Sequence, residues 1–310
     1  MSIISVVVPV YKCADCLVEL YERLQSTIIT LGVEFELILV DDGSPDSAWS
    51  VISSLAQRDY RIIGVQLSRN FGQHYAITAG LQHATGDWIV VMDGDLQDEP
   101  EDIAKLFNTA QTGFDVVLAS RAIRIDSWLK RFSSRCFYIM LSYLTDLKQD
   151  ATVGNFGIYR RTVIQVLNNM QENLRYFPAM VRWTGFPTTS IEVKHASRVA
   201  GKSSYTFRKL LHLALDVMLA FSDKPLRLTI KVGLAIACTS FGFALYIIIL
   251  SVLGTRPVPG WPSLIVSIWL LAGLIIMLLG MIGLYVGKIF DQVKHRPLYI
   301  VRSTLNYKSQ

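Results

Sequence analysis

The sequence predicts an α/β protein with a mostly parallel sheet, followed by two C-terminal membrane-spanning helices. Three observations carry this. Apolar strand-like runs alternate with helical patterns through the first hundred residues, acidic pairs end two of those runs, and two long uncharged stretches lie in the last third. A chain of 310 residues holds one ordinary domain of about 200 residues and something more.

Apolar runs at residues 3–10, 35–40 and 88–92 read as buried strands, with a shorter one at 62–67. Between them, residues 16–31, 48–58 and from about 75 to 84 carry helical periodicity. Strand and helix in alternation give a parallel sheet covered on both faces, with ligands gathering at the carboxyl ends of the strands. Asp41 and Asp42 end the second strand and Asp93 and Asp95 the fourth, so both pairs are expected on that edge. Further on, residues 114–119 read as a strand. Residues 127–147 and 205–221 read as basic, aromatic-rich amphipathic helices, which can lie in a membrane interface or pack on the sheet. Residues 297–301 are expected to add a short strand.

Residues 232–253 and 261–287 contain no charged side chain, apart from Arg256 between them, and each is long enough to cross a hydrocarbon core of about 30 Å. This divides the chain into a domain at 1–225, two membrane helices at about 228–253 and 262–287, and a tail at 289–310. The N-terminal run reads as a strand, so no signal peptide is expected. Lys224, Arg227 and Lys231 precede the first span and Lys288, Lys294 and Arg296 follow the second, whereas the connecting GTRPVPGW has only Arg256. The bias places both termini in the cytoplasm, with the protein in the inner (cytoplasmic) membrane. Four cysteines (Cys13, Cys16, Cys136, Cys238) are then expected as free thiols. The net charge of +5 suits anionic lipid, and no basic run suggests nucleic acid. Glycines 280, 283 and 287 permit close helix contact, which makes homo-oligomerisation through the spans an expectation.

The stretch VVMDGDLQDEP raises a question of charge. Six acids between Asp93 and Asp102 repel one another unless something positive sits among them. A hard divalent cation, Mg2+ or Mn2+, answers that need, because it takes oxygen ligands and is shared between one or two carboxylates and substrate phosphates. Asp93 and Asp95, two apart across Gly94, can face one site, and Gln97 can add a neutral oxygen. Residues 98–102 read instead as the charged first turn of the next helix.

Here the chain resembles a family. VVVPVY at 6–11, LVDDGSPD at 39–46, SRNFGQHYAITAGLQHATGDWIVVMDGDLQDEPE at 68–101, SR at 120–121 and RVAGKSSYTFRKL at 198–210 resemble an inverting family 2 glycosyltransferase with the Rossmann-like GT-A fold. Within it the likeness is to enzymes that move one sugar from a nucleotide onto a polyprenyl phosphate: dolichol-phosphate mannose synthases and bacterial undecaprenyl-phosphate glucosyltransferases of O-antigen and lipopolysaccharide modification. The resemblance implies that Asp95 holds the metal on the nucleotide diphosphate, with Asp93 and Gln97 assisting. It implies that Pro9, Tyr11, Asp41 and Asp42 line the nucleotide pocket and that Asp150 orients the acceptor or acts as base. Relatives often carry Asn and Glu after the tyrosine, where this chain has Lys12 and Cys13. The resemblance also puts UDP-glucose first among donors and undecaprenyl phosphate first among acceptors.

The acceptor can be argued separately. A phosphate monoester has a second pKa near 6, so its oxygen is already an anion at neutral pH. Such a nucleophile needs cations that hold it beside a second anionic substrate, and Arg121, Arg135, Arg198 and Lys202 are the candidates. Two other readings stand beside this one. A processive polysaccharide synthase shares Arg182-Trp183 but has Gln where this chain has Ala179, and needs more spans to build a channel. A non-catalytic nucleotide-sugar-binding scaffold would be expected to have lost Asp93 and Asp95.

Overall fold

Burial explains why the apolar runs become strands. In the computed structural model, which describes residues 2–121, 153–193, 222, 224–253 and 260–307, β1 (Ile3–Val10) is buried from its second residue onward. It pairs in parallel with β2 (Glu34–Asp41) on one side and β4 (Trp88–Val91) on the other. β2 in turn pairs in parallel with β3 (Ile62–Leu67). A strand covered on both faces has no polar side to show, which is why these segments are apolar without alternation. The covering helices are α1 (Leu17–Thr30), α2 (Ala48–Arg58), α3 (Gln73–His83) and α4 (Asp102–Ala110). Gly80 of α3 is required by closeness, since a Cβ there would stand 2.4 Å from the Val7 side chain.

Among the described residues the sheet has eight strands, in the order β7-β5-β6-β4-β1-β2-β3-β8. β5 is Val116–Arg121, β6 Val153–Arg160, β7 Thr188–Val193 and β8 Val301–Leu305. β6 runs antiparallel to both β4 and β5, β5 and β7 are parallel, and β8 is antiparallel to β3. Six strands therefore point one way and two the other, in keeping with a mostly parallel sheet. Two helices, α5 (Arg161–Asn169) and α6 (Phe177–Trp183), follow β6.

Several boundaries differ from expectation. β5 starts two residues late and reaches Arg121, and α4 starts at Asp102, so Asp98 and Glu99 lie in the loop ahead of it. The C-terminal strand is Val301–Leu305, because backbone pairing to β3 begins where the chain reaches that edge. β6, α5, α6 and β7 were not anticipated. The expected amphipathic helices at 127–147 and 205–221 lie outside the described residues, as do Asp150, Arg135, Arg198 and Lys202.

The chain divides into two units, one holding the described residues up to Val193 together with residues 296–307, the other residues 222–295. In the second unit α7 (Lys224–Val252) and α8 (Trp261–Val293) are both long and apolar enough to cross a membrane. Phe241, Trp269 and Ile276 are each at least 70% exposed. Helices this apolar with uncovered faces need an apolar surrounding, so the protein associates with a membrane. The Tyr285 hydroxyl donates to the carbonyl of Ser222 within this unit.

Candidate active site

The parallel strands bring their carboxyl ends to one edge. β1 delivers Pro9 and Tyr11 there, β2 delivers Asp41 and Asp42, and β4 delivers Asp93 and Asp95. Val91 and Leu118 both pair with Gly157, so the backbone of Arg121, three residues past Leu118, lies on the same edge as Asp93.

The acidic stretch after β4 has an alternating pattern. Asp93, Asp95, Gln97 and Glu99 are half-exposed, while Gly94, Leu96, Asp98 and Pro100 are buried. Asp93, Asp95, Gln97 and Glu99 are thus the partly exposed positions of the loop. Gln73, the first residue of α3, donates from Nε2 to Asp93 Oδ1 at 2.6 Å, and the Gln97 N–H donates to Asp95 Oδ1 at 3.2 Å. The turn is made by Leu96, at φ 59, and not by Gly94. Gly94 is glycine because space is short: a Cβ would lie 3.2 Å from Val8, 3.3 Å from the Cys13 sulfur and 3.5 Å from the Pro9 carbonyl. A branched or apolar residue in the left-handed region is costly, and such strain gathers at functional sites. Hard oxygen donors at closely spaced, partly exposed positions fit a divalent cation that keeps water and phosphate ligands. No cluster of three or more His, Cys, Asp or Glu ligands exists among the described residues, so phosphate would have to complete the set.

The acidic pair after β2 is different. Asp41 and Asp42 are 1% and 2% exposed. Asp42 accepts the Phe71 N–H at 2.7 Å and the Gly72 N–H at 2.9 Å, pinning the turn that starts α3. Asp41 accepts the Ser44 N–H at 2.8 Å and the Gln66 amide at 3.3 Å. Burial pushes both carboxyls above the usual value, and these donors pull them part of the way back. The two loops are locked together at Gly43, where a Cβ would lie 2.5 Å from the backbone of Arg69.

Residues that the sequence did not single out complete the site. Asp46 is a hub: it accepts from the Ser44 hydroxyl at 2.5 Å, the Ala14 N–H at 3.1 Å and the Ala48 N–H at 3.2 Å. The Ser44 oxygen also accepts the Lys12 N–H at 2.8 Å, and Lys12 is left-handed at φ 57. An acid two residues ahead of a helical run is an N-terminus signal, and it was readable in SPDSAW. Gln73 gave no such signal, since its partner is twenty residues away. Tyr11 stands 45% exposed at the rim. Burial raises the Cys13 thiol to about 12, against a reactive thiolate, and Cys13, Cys16 and Cys238 are free. Burial lowers His74 to about 4. Its neutral ring packs edge-on against Tyr176 at 5.0 Å.

Comparison with known proteins bears on this edge. Residues 5–167, just over half of the chain, match the family described as glycosyl transferase family 2. The bactoprenol glucosyl transferase of Shigella phage SfV is 36% identical over 301 residues, covering 97% of this chain and 98% of the relative. The undecaprenyl-phosphate 4-deoxy-4-formamido-L-arabinose transferase of Proteus mirabilis is 35% identical over 312 residues, covering 98% and 94%. Among solved structures, glucosyl-3-phosphoglycerate synthase from Mycobacterium tuberculosis, in complex with Mn2+, uridine diphosphate and phosphoglyceric acid, superposes with a TM-score of 0.51. It is 16% identical, with 71% of this chain and 77% of that chain covered, a likeness of fold and a GT-A one. Since the family match begins in β1 and runs through the carboxyl-edge loops into α5, and named glycosyltransferases align over nearly the full length, the chain belongs to glycosyl transferase family 2.

Proposed function

We propose that the protein transfers one sugar, glucose from UDP-glucose, onto undecaprenyl phosphate at the cytoplasmic face of the inner membrane, inverting the anomeric centre. The observation that carries this is the partial exposure of Asp93, Asp95 and Gln97 on the edge where Tyr11 and the backbone of Arg121 also arrive. The bactoprenol and undecaprenyl-phosphate relatives support the lipid acceptor. The Mn2+ and uridine diphosphate held by the structural neighbour support a metal-bound diphosphate donor.

In this reading Asp93, Asp95 and Gln97 hold Mg2+ or Mn2+, which supplies Lewis-acid stabilisation of the departing diphosphate. Gln73 fixes the rotamer of Asp93 by its 2.6 Å hydrogen bond. Asp41, Asp42 and Asp46 shape the loops that hold the nucleotide against Pro9 and Tyr11. The acceptor phosphate is an anion already, so the chain's task is to bring it close and hold it. Arg121 does so from the end of β5, joined by Arg135, Arg198 and Lys202, and Asp150 orients the acceptor. The oxygen attacks the anomeric carbon as the bond to the nucleotide diphosphate breaks, and no proton has to be removed from it. α7 and α8 anchor the chain, with Lys224, Arg227, Lys231, Lys288 and Lys294 on the cytoplasmic side, so the lipid tail stays in the bilayer during transfer.

The test uses purified full-length protein in detergent, undecaprenyl phosphate and a panel of labelled nucleotide sugars, with Mn2+ or with EDTA. Label from UDP-glucose in a single-sugar lipid, lost with EDTA, is expected. Label in long polymer would favour a processive synthase. Nucleotide-sugar binding without transfer from any donor would favour a non-catalytic scaffold.

A further inference from the structure

The segment after α8 is not a loose tail. β8 pairs with β3, the Ser68 N–H donates to the Ile300 carbonyl, and the Tyr299 hydroxyl donates to Gln82. The Asn306 amide reaches the carbonyls of Ala56 at 2.7 Å and Ile62 at 3.0 Å. Tyr307 packs edge-on against His83, with ring centroids 4.5 Å apart.

One cross-strand row leads from this strand into the site. Val10, Asp41, Gln66 and Ser303 are successive register partners across β1, β2, β3 and β8. The Ser303 hydroxyl donates to Gln66 Oε1 at 3.0 Å, and Gln66 Nε2 donates to Asp41 Oδ2 at 3.3 Å. Asp41 Oδ1 then accepts the Ser44 N–H at 2.8 Å, and the Ser44 oxygen accepts the Lys12 N–H at 2.8 Å. The direction of this relay is fixed by chemistry. An ionised carboxylate only accepts, so Gln66 must turn its NH2 toward Asp41, which leaves its carbonyl for the Ser303 hydroxyl. β3 and β8 shift register immediately beyond Gln66, the kind of irregularity that re-aims side chains near sites.

We propose that β8 is part of the donor site. Ser303 is a positioning residue that acts through Gln66 and Asp41 on the loops at Tyr11–Lys12 and Ser44, which hold the nucleotide. This rests on the nucleotide-sugar reading above and adds to it a contribution from the chain that follows the second long helix. Without Ser303 the Gln66 amide loses its reason to point one way, and Asp41 loses a donor in a buried place.

The experiment measures donor KM and kcat in the full-length protein for Ser303→Ala, Ser303→Thr, Gln66→Met and Gln66→Met/Ser303→Ala, with thermal melting alongside. Loss of one hydrogen bond predicts a KM about threefold to tenfold higher in Ser303→Ala, an unchanged kcat, and recovery in Ser303→Thr. In the Gln66→Met background, Ser303→Ala should add nothing. An unchanged KM, a lower melting temperature with no change in KM, or additive effects of the two substitutions would each overturn the relay and leave the donor reading intact. A wild type that transfers from no nucleotide sugar overturns the donor reading, and the relay falls with it.

Discussion

Two acidic pairs end two neighbouring regions of one sheet edge, and they are placed differently. Asp41 and Asp42 are buried and direct their oxygens to backbone N–H groups and the Gln66 amide. Asp93 and Asp95 are half-exposed in the loop after β4. A carboxylate turned inward with two donors builds the loops, whereas one turned outward can meet a ligand. Position at a strand end therefore does not say whether a carboxylate is buried against backbone donors or left partly exposed.

The largest effect should break the outward pair. Asp95→Asn removes a charge from a half-exposed position and leaves the packing alone. Turnover is expected to fall by about a thousandfold, while stability changes by less than about 0.5 kcal/mol. Initial rates and thermal melting on the same preparation check both halves. Retained turnover would take the outward pair out of the chemistry.

The inward region should show the reverse, loss of stability before any specific loss of chemistry. Gly43 is left-handed at φ 62, with backbone atoms 2.5–2.9 Å from a Cβ. Gly43→Ala strains both loops at once and should cost about 3 kcal/mol, read in chemical denaturation of the membrane-bound protein. Asp42→Asn keeps the shape but sets an NH2 against the N–H of Phe71 or Gly72. About 2 kcal/mol is expected. An Asp42→Asn protein as stable as wild type would show that these two hydrogen bonds do not hold the α3 turn.

The sequence could name Asp93 and Asp95 as candidates because an apolar run stopping at clustered acids has few explanations, and their partial exposure agrees with that reading without testing it. The inward pair was legible only as a place, since its partners at Gln66, Phe71 and Gly72 are set by loop geometry. The same limit applies to the fold. β1 to β4 are buried apolar runs, and alternation with helices betrayed them. β6 is broken by Gly154, Asn155 and Gly157, and it enters between β4 and β5 against the direction that alternation implies. Gly157 has to be glycine there, with the Val117 carbonyl 2.8 Å from where its Cβ would be. β7 alternates in exposure at the sheet edge, which leaves no apolar run to read. β8 belongs to the sheet through partners more than two hundred residues away, a distance at which local pattern carries no information.

The smallest effect sharpens the comparison through pH. Burial raises Asp41 and Asp42 above the usual carboxyl value of 3.8 in the folded state, so the native protein holds those protons more tightly than the unfolded chain does. Their contribution to stability is present below 3.8 and is lost as pH rises through the raised folded values. Asp59 has the opposite sign. Burial pushes it up, but the Arg61 guanidinium and N–H, with the Tyr21 hydroxyl, outweigh burial and hold it below 3.8. Its contribution is complete above 3.8 and is lost as pH falls through the lowered folded value. Asp59→Asn should therefore cost more stability as pH climbs from about 3 to about 7, while Asp41→Asn should cost less over the same climb. Melting curves of the two variants against wild type across that range give the two slopes. Equal slopes would mean that the Ser44 and Gln66 donors outweigh burial at Asp41 as the Arg61 and Tyr21 donors do at Asp59, and that Asp41 is not raised by its burial.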